Sequence, residues 1–226
     1  MLRYALFDLD GTLTDPGPGI TNCVRYALEK FDIHPKNREE LYPYIGPPLT
    51  FSFQEYHGLT AEQAEQALLY YRERFSVKGL YENEVYPGIP EMLQDLKNRG
   101  VILIVATSKP EEFTVRILEH FDLAKYFDFV GGNTLNEDRP TKGAVIAYIR
   151  ENYPDISGEN TVMVGDRKYD VEGAHSHDLP AVGVLYGYGN QAEMEAAGAD
   201  CVAETVEQLG EILKIGKFLD IQVEIV

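Results

Sequence analysis

Cysteine is nearly absent from this chain. Cys23 and Cys201 are the only two in 226 residues, so no disulfide framework is implied, and a cytoplasmic protein with free thiols is the expectation. Basic residues are scarce as well: 20 Lys and Arg stand against 37 Asp and Glu, a net charge of −17. Such acidity argues against a nucleic-acid polymer or an anionic membrane as partner, because both require basic surface. Long apolar runs are missing. The longest uncharged one, Val101 to Ala106, falls far short of the roughly 20 residues needed to span a membrane. The opening M-L-R-Y-A-L-F-D runs straight into a strand-like pattern and does not read as a signal peptide. There is no internal repeat and no low-complexity stretch. The remainder, 44% hydrophobic and 25% charged, is ordinary for a soluble globular protein and excludes disorder along the whole chain. The length fits one large domain, or one domain with a smaller insert.

Apolar patterning predicts the fold class. Tyr4–Phe7, Val101–Ala106, Thr161–Val164 and Ala181–Leu185 are solid aliphatic runs, with Phe127–Val130 a weaker fifth. Runs without alternation fit strands covered on both faces of a parallel sheet. Helical patterns lie between them at Pro90–Arg99, Glu111–His120, Thr141–Glu151 and Val206–Lys214. Gly100 suits a helix stop and Pro110 a helix start. The alternation predicts an α/β, doubly wound, mostly parallel sheet. Residues from about 16 to 80 contain no strand run. Ile20–Phe31 is amphipathic, and Thr60–Val77 reads as a long helix with Thr60 as N-cap and Gln63 completing a capping box. A small all-helical cap is therefore expected at 16–80, inserted into a core made of 1–15 and 81–226. Asp15–Gly19 and Gly79–Gly88, both holding Gly and Pro, would be its hinged tethers. The end, Phe218–Val226, reads either as an edge strand or as a loose tail.

Chemistry is expected where polar residues close the strands, because open α/β sheets form their sites beyond the strands' carboxyl ends. The first run ends in Asp8-Leu9-Asp10-Gly11-Thr12, the second in Thr107-Ser108-Lys109, and a later one in Gly165-Asp166, with Asp170 four residues on. Carboxylates packed together repel one another and resist ionisation unless a cation joins them. A hard cation with oxygen ligands is the economical partner, and Mg²⁺ is favoured. Asp8, Asp10 and Asp166 are the candidate metal residues, with Asp170 in support.

The string D-L-D-G-T-L-T-D at 8–15 resembles the nucleophile motif of the haloacid dehalogenase superfamily of phosphatases. V-A-T-S-K at 105–109 is similar to its second motif, and V-M-V-G-D-R-K-Y-D at 162–170 to its acidic metal-binding motif. The resemblance runs through nearly the whole chain, in the family's order, and points to the branch of phosphoglycolate phosphatases and 5′-nucleotidases. It implies a Mg²⁺-dependent phosphatase acting on a small phosphorylated metabolite, as monomer or homodimer. Asp8 would be the nucleophile that forms an aspartyl-phosphate. Asp10 would be the general acid and base, with its backbone carbonyl facing the metal. Gly11, Thr107 and Ser108 would bind the phosphoryl group, Gly11 by letting backbone approach it.

The family usually places a Lys directly before a Pro in the loop after the third strand. Here Arg139 holds that place and Lys142 follows three residues later. Lys142 is the expected catalytic cation, Arg139 the fallback, and Lys109 a solvated loop lysine. His175 and His177 read as solvent-facing residues at a helix end. Tyr42, Tyr44, Phe51, Phe53 and Tyr56 in the cap read as core packing or as contacts to the substrate's leaving group. A sugar phosphomutase uses the same two aspartates and stays open as an alternative. A non-enzymatic binding protein would be expected to lose Asp8, Asp10 or the basic residue, and none is lost.

Overall fold

The computed structural model of the protein describes residues 2–216. The expected ending at Phe218–Val226 lies outside them. In chain order the strands are β1 (Tyr4–Phe7), β2 (Thr14–Asp15), β3 (Glu84–Val85), β4 (Ile102–Pro110), β5 (Phe129–Asn133), β6 (Thr161–Gly165), β7 (Ala181–Val184) and β8 (Cys201–Ala203). The α-helices are α1 (Gly17–Glu29), α2 (Leu49–His57), α3 (Ala61–Phe75), α4 (Ile89–Asn98), α5 (Glu111–His120), α6 (Lys142–Asn152), α7 (Lys168–His175), α8 (Gln191–Ala197) and α9 (Val206–Ile215). Among the described residues no helix is long and apolar enough to cross a membrane.

Six strands form a parallel sheet in the order β5-β4-β1-β6-β7-β8, with β2 and β3 apart from it. The solid apolar runs have their physical reason here. Every residue of β1 and β6 is buried, so both faces of these strands are covered, and the one polar side chain within them apart from Tyr4, Thr161, sits at the start of β6. Tyr4, Leu6, Ile104, Ala106 and Met163 share one face with Val145, Ile146 and Ile149 of α6 and Val171 of α7. β1 is central: Phe7 is in register with Val105 of β4 on one side and Val164 of β6 on the other. From β1 the chain moves outward through β4 and β5, then returns beyond β1 to build β6, β7 and β8. The order in which strands are added reverses between β1 and β6, and the crevice at their carboxyl ends is the ligand position of such sheets.

Contacts divide the chain into two compact units. One contains the residues up to Leu13 together with those from Val85 on, and the other is Thr14–Glu84. The first unit holds the six-stranded sheet. Gly100, at φ 77°, takes the left-handed turn that ends α4. β8 escaped the sequence reading because three residues give too short a run.

The second unit packs α1 against α3 and α2 against α3. Thr60 accepts a hydrogen bond from the Gln63 N–H at 3.2 Å and donates its own N–H to Gln63 Oε1 at 2.9 Å. Arg74 donates to both carboxylate oxygens of Glu82, at 2.7 and 2.8 Å, and to Cys23 Sγ at 3.2 Å; Asn22 also donates to Glu82. One expectation changes here. Residues 17–19 are the first turn of α1, and the Gly19 N–H donates to the Glu82 carbonyl at 2.8 Å. A side chain on Gly19 would overlap the Gly79 carbonyl. Much of each supposed tether is thus fixed within the helical unit. Between α1 and α2 a 3-10 helix at Glu39–Tyr44 holds Pro43, and Pro48 directly precedes α2. The five aromatics divide. Tyr44 and Phe53 are buried edge to face, with the Tyr44 hydroxyl 2.7 Å from His57 Nδ1, while Tyr42, Phe51 and Tyr56 are exposed.

Candidate active site

Asp8 is the first residue beyond β1 and Asp166 the first beyond β6, so two adjacent strands deliver buried carboxylates to the crevice. Asp170 reaches the same place from the first turn of α7, where an acid is favoured by the free N–H groups. Its Oδ2 accepts the Arg167 N–H at 3.1 Å. Asp8, Asp166 and Asp170 each bring a carboxylate oxygen within 4.8 Å of the others.

Lys142 opens α6, whose N-cap Thr141 accepts the Ala144 N–H at 3.2 Å. A cation at that end opposes the helix dipole. Carboxylates offset the conflict: Nζ lies 2.9 Å from Asp8 Oδ1 and 2.8 Å from Asp170 Oδ1, and it donates to the Ala106 carbonyl at 2.7 Å. Burial alone would lower the pKa of this ammonium, but Asp170 and Asp8 outweigh it and hold the pKa above its ordinary value. Gly173 makes room for the lysine stem, since a β-carbon there would stand 2.6 Å from Lys142 Cβ.

Asp166 is held by backbone. The Tyr188 N–H donates to its Oδ2 at 2.7 Å. β-Carbons on Gly11, Gly187 or Gly189 would overlap Asp166. Gly11, at φ 79°, is therefore required for its backbone shape and for this packing. The loop Tyr186-Gly187-Tyr188-Gly189 was not singled out in the sequence; its two glycines directly after an apolar run were the available signal. Burial first, then the charges of Asp170 and Asp8, push the Asp166 carboxyl well above the usual range. Burial likewise pushes Asp170 up to about 6, against the pull of Lys142.

Asp10 stands outside the carboxylate cluster. Its side chain pairs with Lys109 Nζ at 2.6 Å. Burial raises its pKa, and Lys109 pulls the other way. Lys109 is not a solvated loop residue: it lies in β4 and its side chain is only 7% exposed. Thr107 is buried two residues before it and accepts the Lys109 N–H through Oγ1 at 3.3 Å; Ser108, between them, is half-buried. Arg139 is committed elsewhere. It donates to the Gly132 carbonyl at 2.7 Å and to Glu111 at 2.8 Å, and its guanidinium stacks 3.9 Å from the Tyr148 ring centre. His175 contacts Asp200 at 3.0 Å and His177 the Gly143 carbonyl at 2.8 Å, so both make protein contacts, apart from the carboxylate cluster.

The donor set fits a divalent cation. Four carboxylates, Asp8, Asp10, Asp166 and Asp170, face two ammonium groups, Lys109 and Lys142, which leaves a formal charge of −2. Asp166 Oδ1 is buried without a hydrogen-bond partner. Such an acceptor is costly unless something binds it, and all-oxygen ligands suit a hard metal.

The family model for haloacid dehalogenase-like hydrolases matches residues 5–184, most of the chain. The chain belongs to that family. Among the relatives of this haloacid dehalogenase-like hydrolase is a 5′-nucleotidase of Pseudomonas aeruginosa, 42% identical over 86% of this chain and 89% of its own. The tyrosine-protein kinase PtkA of Mycobacterium tuberculosis is 36% identical over 94% of this chain and 73% of its own. Phosphoglycolate phosphatases are also relatives, at 29% identity and below. A solved structure of a predicted phosphatase from Clostridium acetobutylicum superimposes with a TM-score of 0.92 at 46% identity, covering 95% of this chain and 99% of its own. The mostly parallel sheet is the family's core, and the protein is a phosphoric monoester hydrolase whose substrates are small phosphorylated compounds.

Proposed function

We propose that this hydrolase is a Mg²⁺-dependent phosphatase that works through a phosphorylated Asp8, with a nucleoside 5′-monophosphate placed ahead of phosphoglycolate as substrate. The observation that carries the reading is the buried cluster of Asp8, Asp166 and Asp170 with its surplus negative charge and the partnerless Asp166 Oδ1. Asp8 and Asp166 would hold the metal together with the backbone carbonyl of Asp10, and Asp170 would support them. Bound there, Mg²⁺ supplies the positive charge that lets an anionic nucleophile meet an anionic phosphoryl group.

A carboxylate oxygen of Asp8 forms a bond to phosphorus as the ester P–O bond breaks. Asp10 gives its proton to the departing oxygen, a role that suits a carboxyl raised by burial. In the second step water attacks phosphorus and passes its proton to Asp10. The Asp8–phosphorus bond breaks and inorganic phosphate leaves. Lys142 holds Asp8 in place for attack, and Thr107, Ser108 and nearby N–H groups bind the phosphoryl oxygens. The order of substrates follows identity: the relative named 5′-nucleotidase is 42% identical, and the Pseudomonas aeruginosa relative named phosphoglycolate phosphatase 1 is 29% identical.

Phosphate release from nucleoside monophosphates, phosphoglycolate and sugar phosphates, with and without Mg²⁺ after chelation, tests the reading. The expectation is metal-restored turnover that Asp8→Asn reduces by at least about 10³-fold, because the covalent route is lost. Turnover that survives either chelation or Asp8→Asn would overturn it.

A further inference from the structure

β4 does not end where its apolar run ends. Its register with β5 holds as far as Ala106 against Gly131 and resumes at Pro110 against Asn133. Between those points the three residues Thr107–Lys109 stand opposite one residue, Gly132. An irregularity of this kind re-aims side chains, and such bulges gather beside active sites. Here it carries a lysine from a buried strand to a carboxylate, with Nζ 2.6 Å from Asp10 and both side chains largely buried. The neighbouring strand is shaped to permit it. A β-carbon on Gly132 would stand 2.7 Å from the Lys109 carbonyl, closer than packing allows. The two lysines at the sheet edge divide their tasks. Lys142 spans Asp8 and Asp170, and Lys109 takes Asp10. Asp10 follows Asp8 by two residues, and among the described residues it is Lys109 Nζ that donates to its carboxylate. Its orientation therefore depends on the lysine.

We propose that Lys109 is a positioning residue for the reaction, fixing the Asp10 carboxyl where it meets the leaving oxygen. The inference rests on the acid–base role given to Asp10 above. A positioned acid matters when the leaving oxygen is basic, as in an alkyl phosphate, and little when it is a good leaving group, as in p-nitrophenyl phosphate. A residue that only neutralises charge or supports the fold would affect both esters alike.

The test measures the first turnover, release of the alcohol or phenol, for Lys109→Met against the parent, with an alkyl phosphomonoester and with p-nitrophenyl phosphate. The expected loss is about 10²-fold on the alkyl ester, the usual scale of general acid catalysis, and under about tenfold on the aryl ester. KM should change by less than about threefold, since ground-state binding is untouched. Lys109→Arg should recover part of the alkyl rate. Equal losses on the two esters, no loss on either, or a rise in KM at constant rate would overturn the inference. Should Lys109→Met fail to fold, Gly132→Ala serves, because it keeps the lysine and displaces its backbone; it must show the same bias toward the alkyl ester, and an equal loss would overturn the inference. Asp8→Asn separates the two levels. If it stays active, the reading of the site fails. If it is inactive while Lys109→Met shows no bias, the role of Lys109 alone fails.

Discussion

Each unit of the protein holds a network of charges, and the two networks differ in how far they are closed. In the helical unit one guanidinium, Arg74, meets one carboxylate, Glu82, through two short hydrogen bonds, and Asn22 adds a third donor to Glu82. Charge and hydrogen bonding balance. Beyond the strands of the sheet unit, two lysines face four carboxylates, and Asp166 keeps a buried oxygen without a partner. Burial works on both, with opposite outcomes. The hydrogen bond from Arg74, against the cost of burial, holds the Glu82 carboxyl below the usual range. Burial and like charges push Asp166 well above it. The closed network supports the fold; the open one is built around a missing positive charge.

The sharpest way to break this contrast is Asp166→Asn. Removing a repelling charge should leave the metal-free protein as stable as the parent or more so, while phosphatase activity falls by at least about 10–100-fold, the loss that even outer partners of a metal site cause. The parent should also gain about 2.7 kcal/mol at Mg²⁺ near 100 times its dissociation constant, and the variant should not. Thermal unfolding with and without Mg²⁺, beside phosphate release, reads all three. Equal Mg²⁺ stabilisation of parent and variant would place the metal elsewhere.

Glu82→Gln is the counterpart in the closed network. It should cost about 1–2 kcal/mol, because a charged hydrogen bond is lost at a partly screened site. Stabilisation by Mg²⁺ should remain. The pH dependence has a definite sign. Because the folded pKa of Glu82 is depressed, its contribution is fully present above the unfolded carboxylate value and is lost as pH falls through the folded one. Parent and variant should therefore converge in acid, as followed by denaturant unfolding across a pH series; a gap that stays constant would contradict the assignment. The smallest expected effect is Thr60→Ala, about 1 kcal/mol from the lost N-cap, with Thr60→Ser close to the parent. It calibrates what an uncharged cap is worth in the same unit.

Much of the architecture was legible because burial on both faces of a strand leaves an unmistakable apolar run. Tyr4–Phe7 needed no adjustment, and Asp8 and Asp166 followed from strand ends alone. The capping box at Thr60 was readable because it is a four-residue local device. Lys109 was misread for the opposite reason. Its position depends on three residues of one strand facing one of another, a relation between segments with no local mark. The hold on Asp166 was invisible on the same grounds, since Tyr188 reaches it only after the chain has folded back across 22 residues. In the helical unit, Tyr44 and Phe53 differ from Tyr42, Phe51 and Tyr56 in burial, not in composition.

The glycines around Asp166 have a mechanical consequence. Gly11 and Gly187 press bare backbone against this side chain from two segments of the chain, and Gly189 presses against the Asp166 backbone carbonyl. In a looser setting, mutually repelling carboxylates swing apart into water and their repulsion dissipates. Asp166 has no such travel. The repulsion can be relieved only by a proton or by a cation arriving from outside, so the ligands for that cation need not be gathered when it comes. The three residues that gave up their side chains act as a vice, and what the vice holds is an electrostatic load awaiting its counterweight.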